Sequence, residues 1–93
     1  MSNDEFLRIA RAVADPTRFD ILSRIARTPG ECACAELTGS LDVTPATISH
    51  HLKELAAAGL IDARREGKFM HHRIRHDRWN AYLAELQRRI PPR

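Results

Sequence analysis

Val43 to Leu60 reads VTPATISHHLKELAAAGL, and this pattern predicts a helix with both ends marked. The Thr44 hydroxyl can cap the first turn, and Pro45 suits the first helical position, where no amide donor is needed. Gly59 marks the end. Ile48, Leu52, Leu55 and Ala56 recur at helical spacing as one apolar stripe, which leaves Thr47, Ser49, His50, Lys53 and Glu54 on other faces. A helix entering a DNA major groove has this character: small side chains let the backbone approach, and hydrogen-bonding groups occupy the first two turns. An ordinary amphipathic surface helix shares the pattern, so the stretch alone does not decide between them.

The segment that follows adds weight to the first reading. Leu60 to Glu66 (LIDARRE) and Phe69 to Arg75 (FMHHRIR) read as two short strands around Glu66-Gly67-Lys68, a hairpin turn. A helix followed by a basic hairpin is the order of a winged helix-turn-helix. Arg64, Arg65 and Lys68 cluster where a wing would meet phosphate oxygens, fixing orientation without reading sequence.

Working toward the start of the chain, Phe6, Ile9, Ala10 and Val13 keep helical spacing in a first helix over Asn3 to Ala14. Asp15 and Pro16 end it and suit the cap and first residue of a second helix, whose inward stripe is Phe19, Leu22, Ile25 and Ala26. Thr28-Pro29-Gly30 breaks that helix. A third, short helix is predicted from Cys32 to Thr38, with Gly39 to Val43 as the turn before the recognition helix. The expected fold is mainly α with a small β-hairpin, in the order α1-α2-α3-α4-β1-β2-α5, as one domain spanning 1–93.

Composition agrees. Ninety-three residues, 43% hydrophobic but only 5% aromatic, allow one modest core built of Leu, Ile, Val and Ala. Fifteen Lys and Arg against twelve Asp and Glu give a formal charge of +3, a mild bias toward polyanionic partners. The longest apolar run, Leu55 to Ile61, is too short to span a bilayer, and Met1 to Glu5 lacks the basic start of a signal peptide. The expected location is therefore the cytoplasm, with no membrane partner.

Five motifs now stand in order: Asp15-Pro16-Thr17-Arg18, the Glu31 to Leu37 run ECACAEL, Ser49-His50-His51-Leu52, Ala58-Gly59-Leu60 and Arg65-Glu66-Gly67-Lys68-Phe69. In order and spacing they resemble the signatures of the ArsR/SmtB repressors, from about Ile9 to Ile74. The resemblance implies a homodimeric repressor that leaves DNA when a metal ion or other inducer binds. It also implies that the first and last helices form the dimer, which suits Phe6, Ile9, Val13, Trp79, Tyr82, Leu83 and Leu86. The last helix repeats its apolar residues at three and four and holds the only Trp and Tyr, more apolar surface than so small a domain can cover by itself. Two recognition helices related by a twofold axis reach successive major grooves about 34 Å apart, so the expected operator is an imperfect inverted repeat. DNA contacts are expected from Thr44, Thr47, Ser49, His50 and Lys53, with Arg64, Arg65 and Lys68 from the wing; His51 is expected to hydrogen-bond within the fold.

Cys32 and Cys34 are the only cysteines. In a reducing compartment such a pair is ligand or redox sensor rather than structural disulfide. Residues two apart on a regular helix point about 200° from one another, so both sulfurs can share one ion only if that turn unwinds. ECACAEL is similar to the motif of the arsenic-responsive branch, which often has a third cysteine where Leu37 stands here. That implies trivalent arsenic or antimony as inducer, held by two sulfurs. Oxidation or persulfide capture at the same thiols, and plain packing of small helix residues, stay open. His71 and His72 point to opposite faces of a strand, and Arg78, Gln87, Arg88 and Arg89 occupy the region of the family's zinc site, which argues against zinc. No nucleophile with an oriented base is in view, so an enzyme is not expected. A module that binds a protein through its last helix is the remaining rival, and steep loss of DNA binding with salt would count against it.

Overall fold

A computed structural model describes residues 1–93. Five helices surround a three-stranded sheet: α1 (Asn3–Ala14), α2 (Pro16–Arg27), β1 (Cys32–Ala33), α3 (Cys34–Ser40), α4 (Pro45–Ala57), β2 (Ile61–Glu66), β3 (Phe69–Ile74) and α5 (His76–Arg89). The starts of α1, α2 and α4 follow from their caps. In α1 the Glu5 amide donates to Ser2 Oγ at 3.1 Å and the Ser2 amide donates to Glu5 Oε1 at 3.4 Å, a reciprocal capping box. Asp15 accepts from the Arg18 amide at 2.8 Å and Thr44 from the Thr47 amide at 3.2 Å, each followed by a proline at the first helical position.

Gly59 ends α4 with φ of 78°. A Cβ there would also stand 3.1 Å from Arg78 Nε, so both conformation and space call for glycine. In the hairpin, Glu66 and Phe69 are paired and Gly67-Lys68 form the two-residue turn. Gly67 takes φ of 61° and no non-glycine residue has positive φ, the arrangement of a type II′ turn.

The sheet order is β1-β3-β2, antiparallel throughout. The hairpin expected from the sequence is β2 and β3. The third strand corrects the expectation of a helix starting at Cys32: Cys32 and Ala33 pair with His72 and His71, and α3 begins at Cys34. Expected strands β1 and β2 are accordingly the second and third strands here. Ile9, Ile21, Ile25, Leu37, Ile48, Leu55 and Leu60 are fully buried and come from every part of the chain between α1 and β2. The core thus clamps α4 by its inner stripe Ile48, Leu52 and Leu55, fixing which face of that helix looks outward.

Candidate functional site

The outward face of α4 carries Ser49, His50, Lys53 and Glu54, all exposed. Lys53 makes no ion pair, so its ammonium is available to a polyanion. At the helix start the two threonines are partly engaged. Thr44 Oγ1 lies 2.9 Å from Thr47 Oγ1 besides accepting the Thr47 amide. The two hydroxyls form one short polar edge rather than two independent contacts.

His51 is held inside the fold, as the family resemblance implied. Arg18 Nη1 lies 3.2 Å from His51 Nδ1, and His51 Nε2 lies 3.9 Å from Asp15 Oδ2. Because arginine can only donate, Nδ1 must be the accepting nitrogen, which puts the ring proton on Nε2, facing the carboxylate. Arg18 Nε also donates to the Ala12 carbonyl at 2.7 Å. One guanidinium therefore ties the end of α1 to the middle of α4. The Arg18 amide, foremost, holds the Asp15 carboxyl below the usual range.

On the wing the three expected cations divide into two kinds. Arg64 lies against Glu31, with Nη2 at 2.8 Å and Nε at 3.1 Å from Oε1, and Nη2 reaches Glu66 at 3.1 Å. Its guanidinium holds the Glu31 carboxyl below the ordinary range. Arg64 is thus a clamp between the wing and the residue preceding Cys32. Arg65 and Lys68 make no ion pair and face solvent. Beside Lys68, whose Nζ lies 5.7 Å from the ring centroid, Phe69 is 58% exposed at the tip.

The two cysteines line different clefts. Cys32, 2% exposed, lines a cleft of about 400 Å³ with Arg24, Arg27, Thr28, Glu36 and Ser40. Its Sγ lies 3.7 Å from Glu36 Oε2. Cys34 lines a separate cleft of about 540 Å³ under the wing, with Glu66, Lys68, Phe69, Met70 and His71. Burial, before all else, pushes the Cys32 thiol up, with Glu36 adding to it and Thr28 opposing. The thiol rests protonated. The alternation of β3 separates His71 from His72, as expected: His72 is 5% exposed, its Nδ1 without a partner.

Burial foremost, then the neighbouring His71, lowers the pKa of His72 from its ordinary 6.5. The sign follows: a folded-state value below the unfolded one means stability is full above about 6.5 and declines as the pH drops below it, because the unfolded chain binds the proton first. The melting temperature should therefore fall from about pH 7 to about pH 5, and this part of the fall should be missing from His72→Phe. An unchanged pH slope in that variant would assign the effect elsewhere.

No set of three or more His, Cys, Asp or Glu side chains is grouped as a metal site would need. At the start of α5, Arg75 pairs with Asp77 at 2.8 Å and Arg78 with Glu5 at 2.9 Å. The seven residues expected at a dimer interface are split by burial. Ile9 is fully buried and Phe6 and Tyr82 nearly so within the single chain, the two rings 5.4 Å apart. Val13, Trp79 and Leu86 are half-buried and Leu83 is exposed, with Leu7 on α1 and Ile90 just past the end of α5 adding exposed apolar surface. No helix is long and apolar enough to cross a membrane.

Residues 13–64 match the family described as helix-turn-helix domain. The chain is 34% identical over 86 residues to the HTH-type transcriptional regulator CmtR of Mycobacterium tuberculosis, spanning 92% of this chain and 71% of that protein. It is 36% identical over 66 residues to the arsenic resistance transcriptional regulator ArsR1 of Pseudomonas putida, spanning 71% of this chain and 51% of that protein. Among solved structures it is similar to a homodimeric winged helix-turn-helix DNA-binding domain from Mycobacterium bovis, a possible ArsR-family transcriptional regulator. The TM-score is 0.74 and the identity 27%, over 100% of this chain and 92% of that one.

Proposed function

The chain belongs to the ArsR/SmtB family of winged helix-turn-helix transcriptional regulators, and from that premise we propose a homodimeric repressor released from an inverted-repeat operator when trivalent arsenic or antimony binds Cys32 and Cys34. It is a DNA-binding regulator and not an enzyme. In this reading Ser49, His50 and Lys53 enter the major groove, the Thr44 and Thr47 hydroxyls approach at the first turn, and Arg65 and Lys68 meet phosphates. Arg64 sets the angle of the wing through Glu31. The dimer forms across α1 and α5 through Val13, Trp79, Leu83 and Leu86. Phe6, Ile9 and Tyr82 support that surface from beneath, and the homodimeric relative favours a dimer.

The observation that carries the sensing step is the place of the two thiols. Cys32 sits on a strand of the wing's own sheet, and Cys34 opens the helix that leads into α4. As folded the two cysteines line separate clefts, and in this reading the β1–α3 turn opens when both thiols take one ion. In the capture step each thiol proton joins one hydroxyl of arsenous acid, two waters leave, and two As–S bonds form with no change of oxidation state. Opening the turn pulls β1 from β3 and shifts α3 against α4, misplacing wing and recognition helix together. A coupling of about 1–3 kcal/mol lowers operator affinity about 5- to 150-fold. The relative named for arsenic resistance favours this ion. The separate clefts favour one other reading, in which the half-exposed Cys34 alone is oxidised or persulfidated.

Fluorescence anisotropy on the DNA upstream of the protein's own gene, titrated with trivalent arsenic and then with zinc, tests this reading. Release by arsenic alone supports it. Binding that neither ion disturbs removes the ion and leaves the thiol-oxidation reading.

A further inference from the structure

Of the fifteen Lys and Arg, seven arginines are held in ion pairs. Among the others, three converge. Arg8 and Arg11 of α1 and Arg18 of α2 line one cleft of about 400 Å³ with Ala12 and, from α4, Glu54. Arg8 and Arg11 are exposed and their side chains make no ion pair or hydrogen bond. Two arginines left without carboxylate partners, one helical turn apart, are neighbours on one face of the helix.

Arg18 is of a different kind, because its Nε and Nη1 are fixed on the Ala12 carbonyl and the His51 ring. A guanidinium carries five N–H donors, so the remaining ones project from a side chain whose position is already set. Glu54 is the only acid in the cleft and leaves it net positive. It follows Lys53 directly and lies one turn beyond His50, so the cleft opens along the flank of the outward face of α4.

We propose that Arg8, Arg11 and Arg18 form a second phosphodiester-binding site, which seats the operator backbone alongside the recognition helix, apart from the phosphates met by the wing. The proposal rests on the DNA-binding reading above. Three guanidiniums suit the oxygens of a phosphodiester, which accept from several planar donors at once. The site also gives Arg18 a purpose in binding: a phosphate held there spans α1, the dimerising helix, and α4, the reading helix, and locks their relative angle.

The test is the salt dependence of operator binding by the whole dimer. Each released phosphate contact lowers the slope of log affinity against log salt by about 0.9. Arg8→Ala/Arg11→Ala removes at least one contact per subunit, so the slope should flatten by about 1.8 for the dimer, with a loss on the order of tenfold near physiological salt. The loss should be equal on operator and random DNA, since phosphates carry no sequence. Arg8→Lys/Arg11→Lys should restore most of the slope, and Glu54→Gln should tighten binding. Arg88→Ala, on α5 and paired with Glu85, supplies the background for loss of a distant charge. If wild type binds with a steep slope and the double variant keeps it, the cleft does not hold DNA and the proposal fails while the repressor reading stands. If wild type shows no salt-dependent binding, both fail. Should inorganic phosphate raise the melting temperature of wild type and not of the double variant, with slopes unchanged, the site serves a free anion and the assignment to DNA is overturned.

Discussion

Cys32→Ser/Cys34→Ser is expected to bind the operator with wild-type affinity and to show no release by trivalent arsenic, a collapse of the about 5- to 150-fold response to none. A hydroxyl is a hard donor and does not replace a thiolate toward a soft centre. The fold should tolerate the change. Cys32 is buried, but its neighbours Glu36, Thr28 and the Ala33 carbonyl can accept or share a hydroxyl proton, so serine there meets partners rather than an orphaning interior. Anisotropy with and without arsenic reads the response, and a thermal melt checks the fold. The single variants separate the two readings of the thiols. Loss of response in either single variant is the signature of a shared ion; loss in Cys34→Ser alone marks a one-thiol switch. Release that survives in the double variant places the sensor elsewhere in the chain. Kinetics adds a signed check, because burial holds the Cys32 thiol protonated. The rate of capture should rise with pH as the thiolate fraction grows.

The residues that made the fold legible were those whose signals are local. Asp15-Pro16, Thr44-Pro45 with Gly59, and Glu66-Gly67-Lys68 act through caps and turns that involve only near neighbours, and the structure places element ends at these positions. β1 was not legible. Two residues carry no readable alternation, and Cys32-Ala33 is a strand only because His72 and His71, about forty positions later, supply its partners. The same distance hid the role of Arg64. Its basic neighbours Arg65 and Lys68 suggested phosphate, whereas Glu31 across the sheet takes its guanidinium. His51 was legible as a residue held within the fold only through the family resemblance, in which a His precedes Leu52, and its partner Arg18 was not legible. Spacing also cannot say what an apolar stripe faces. Ile9 and Leu83 obey the same periodicity, yet one is sealed in the chain's own core and the other is open to solvent. The Arg8, Arg11 and Arg18 cleft is a tertiary fact of the same kind, invisible until α4 brings Glu54 beside α1.

Leu55→Ala should be among the most damaging single changes to stability in the recognition helix. Leu55 is 0% exposed and joins Ile48 and Leu52 in the stripe that fixes α4 to the core. Truncation removes buried methyl groups and leaves a cavity that rigid neighbours fill only in part, at about 2–5 kcal/mol. A small domain has only about 5–15 kcal/mol to lose, and each kcal/mol moves its melting temperature by about 4–8 °C. A drop of about 8–40 °C follows, measured at fixed protein concentration because dimerisation adds a concentration-dependent part. Leu55→Met keeps the volume and should cost under about 1.5 kcal/mol. Lys53→Ala, two positions earlier on the exposed face, should leave melting within about half a kcal/mol of wild type while weakening DNA binding. This opposite pairing of effects is what an α4 clamped by one face and reading with the other requires. If Leu55→Ala melted within a few degrees of wild type, α4 would not be fixed by its inner stripe, and the outward assignment of Ser49, His50 and Lys53 would fall with it.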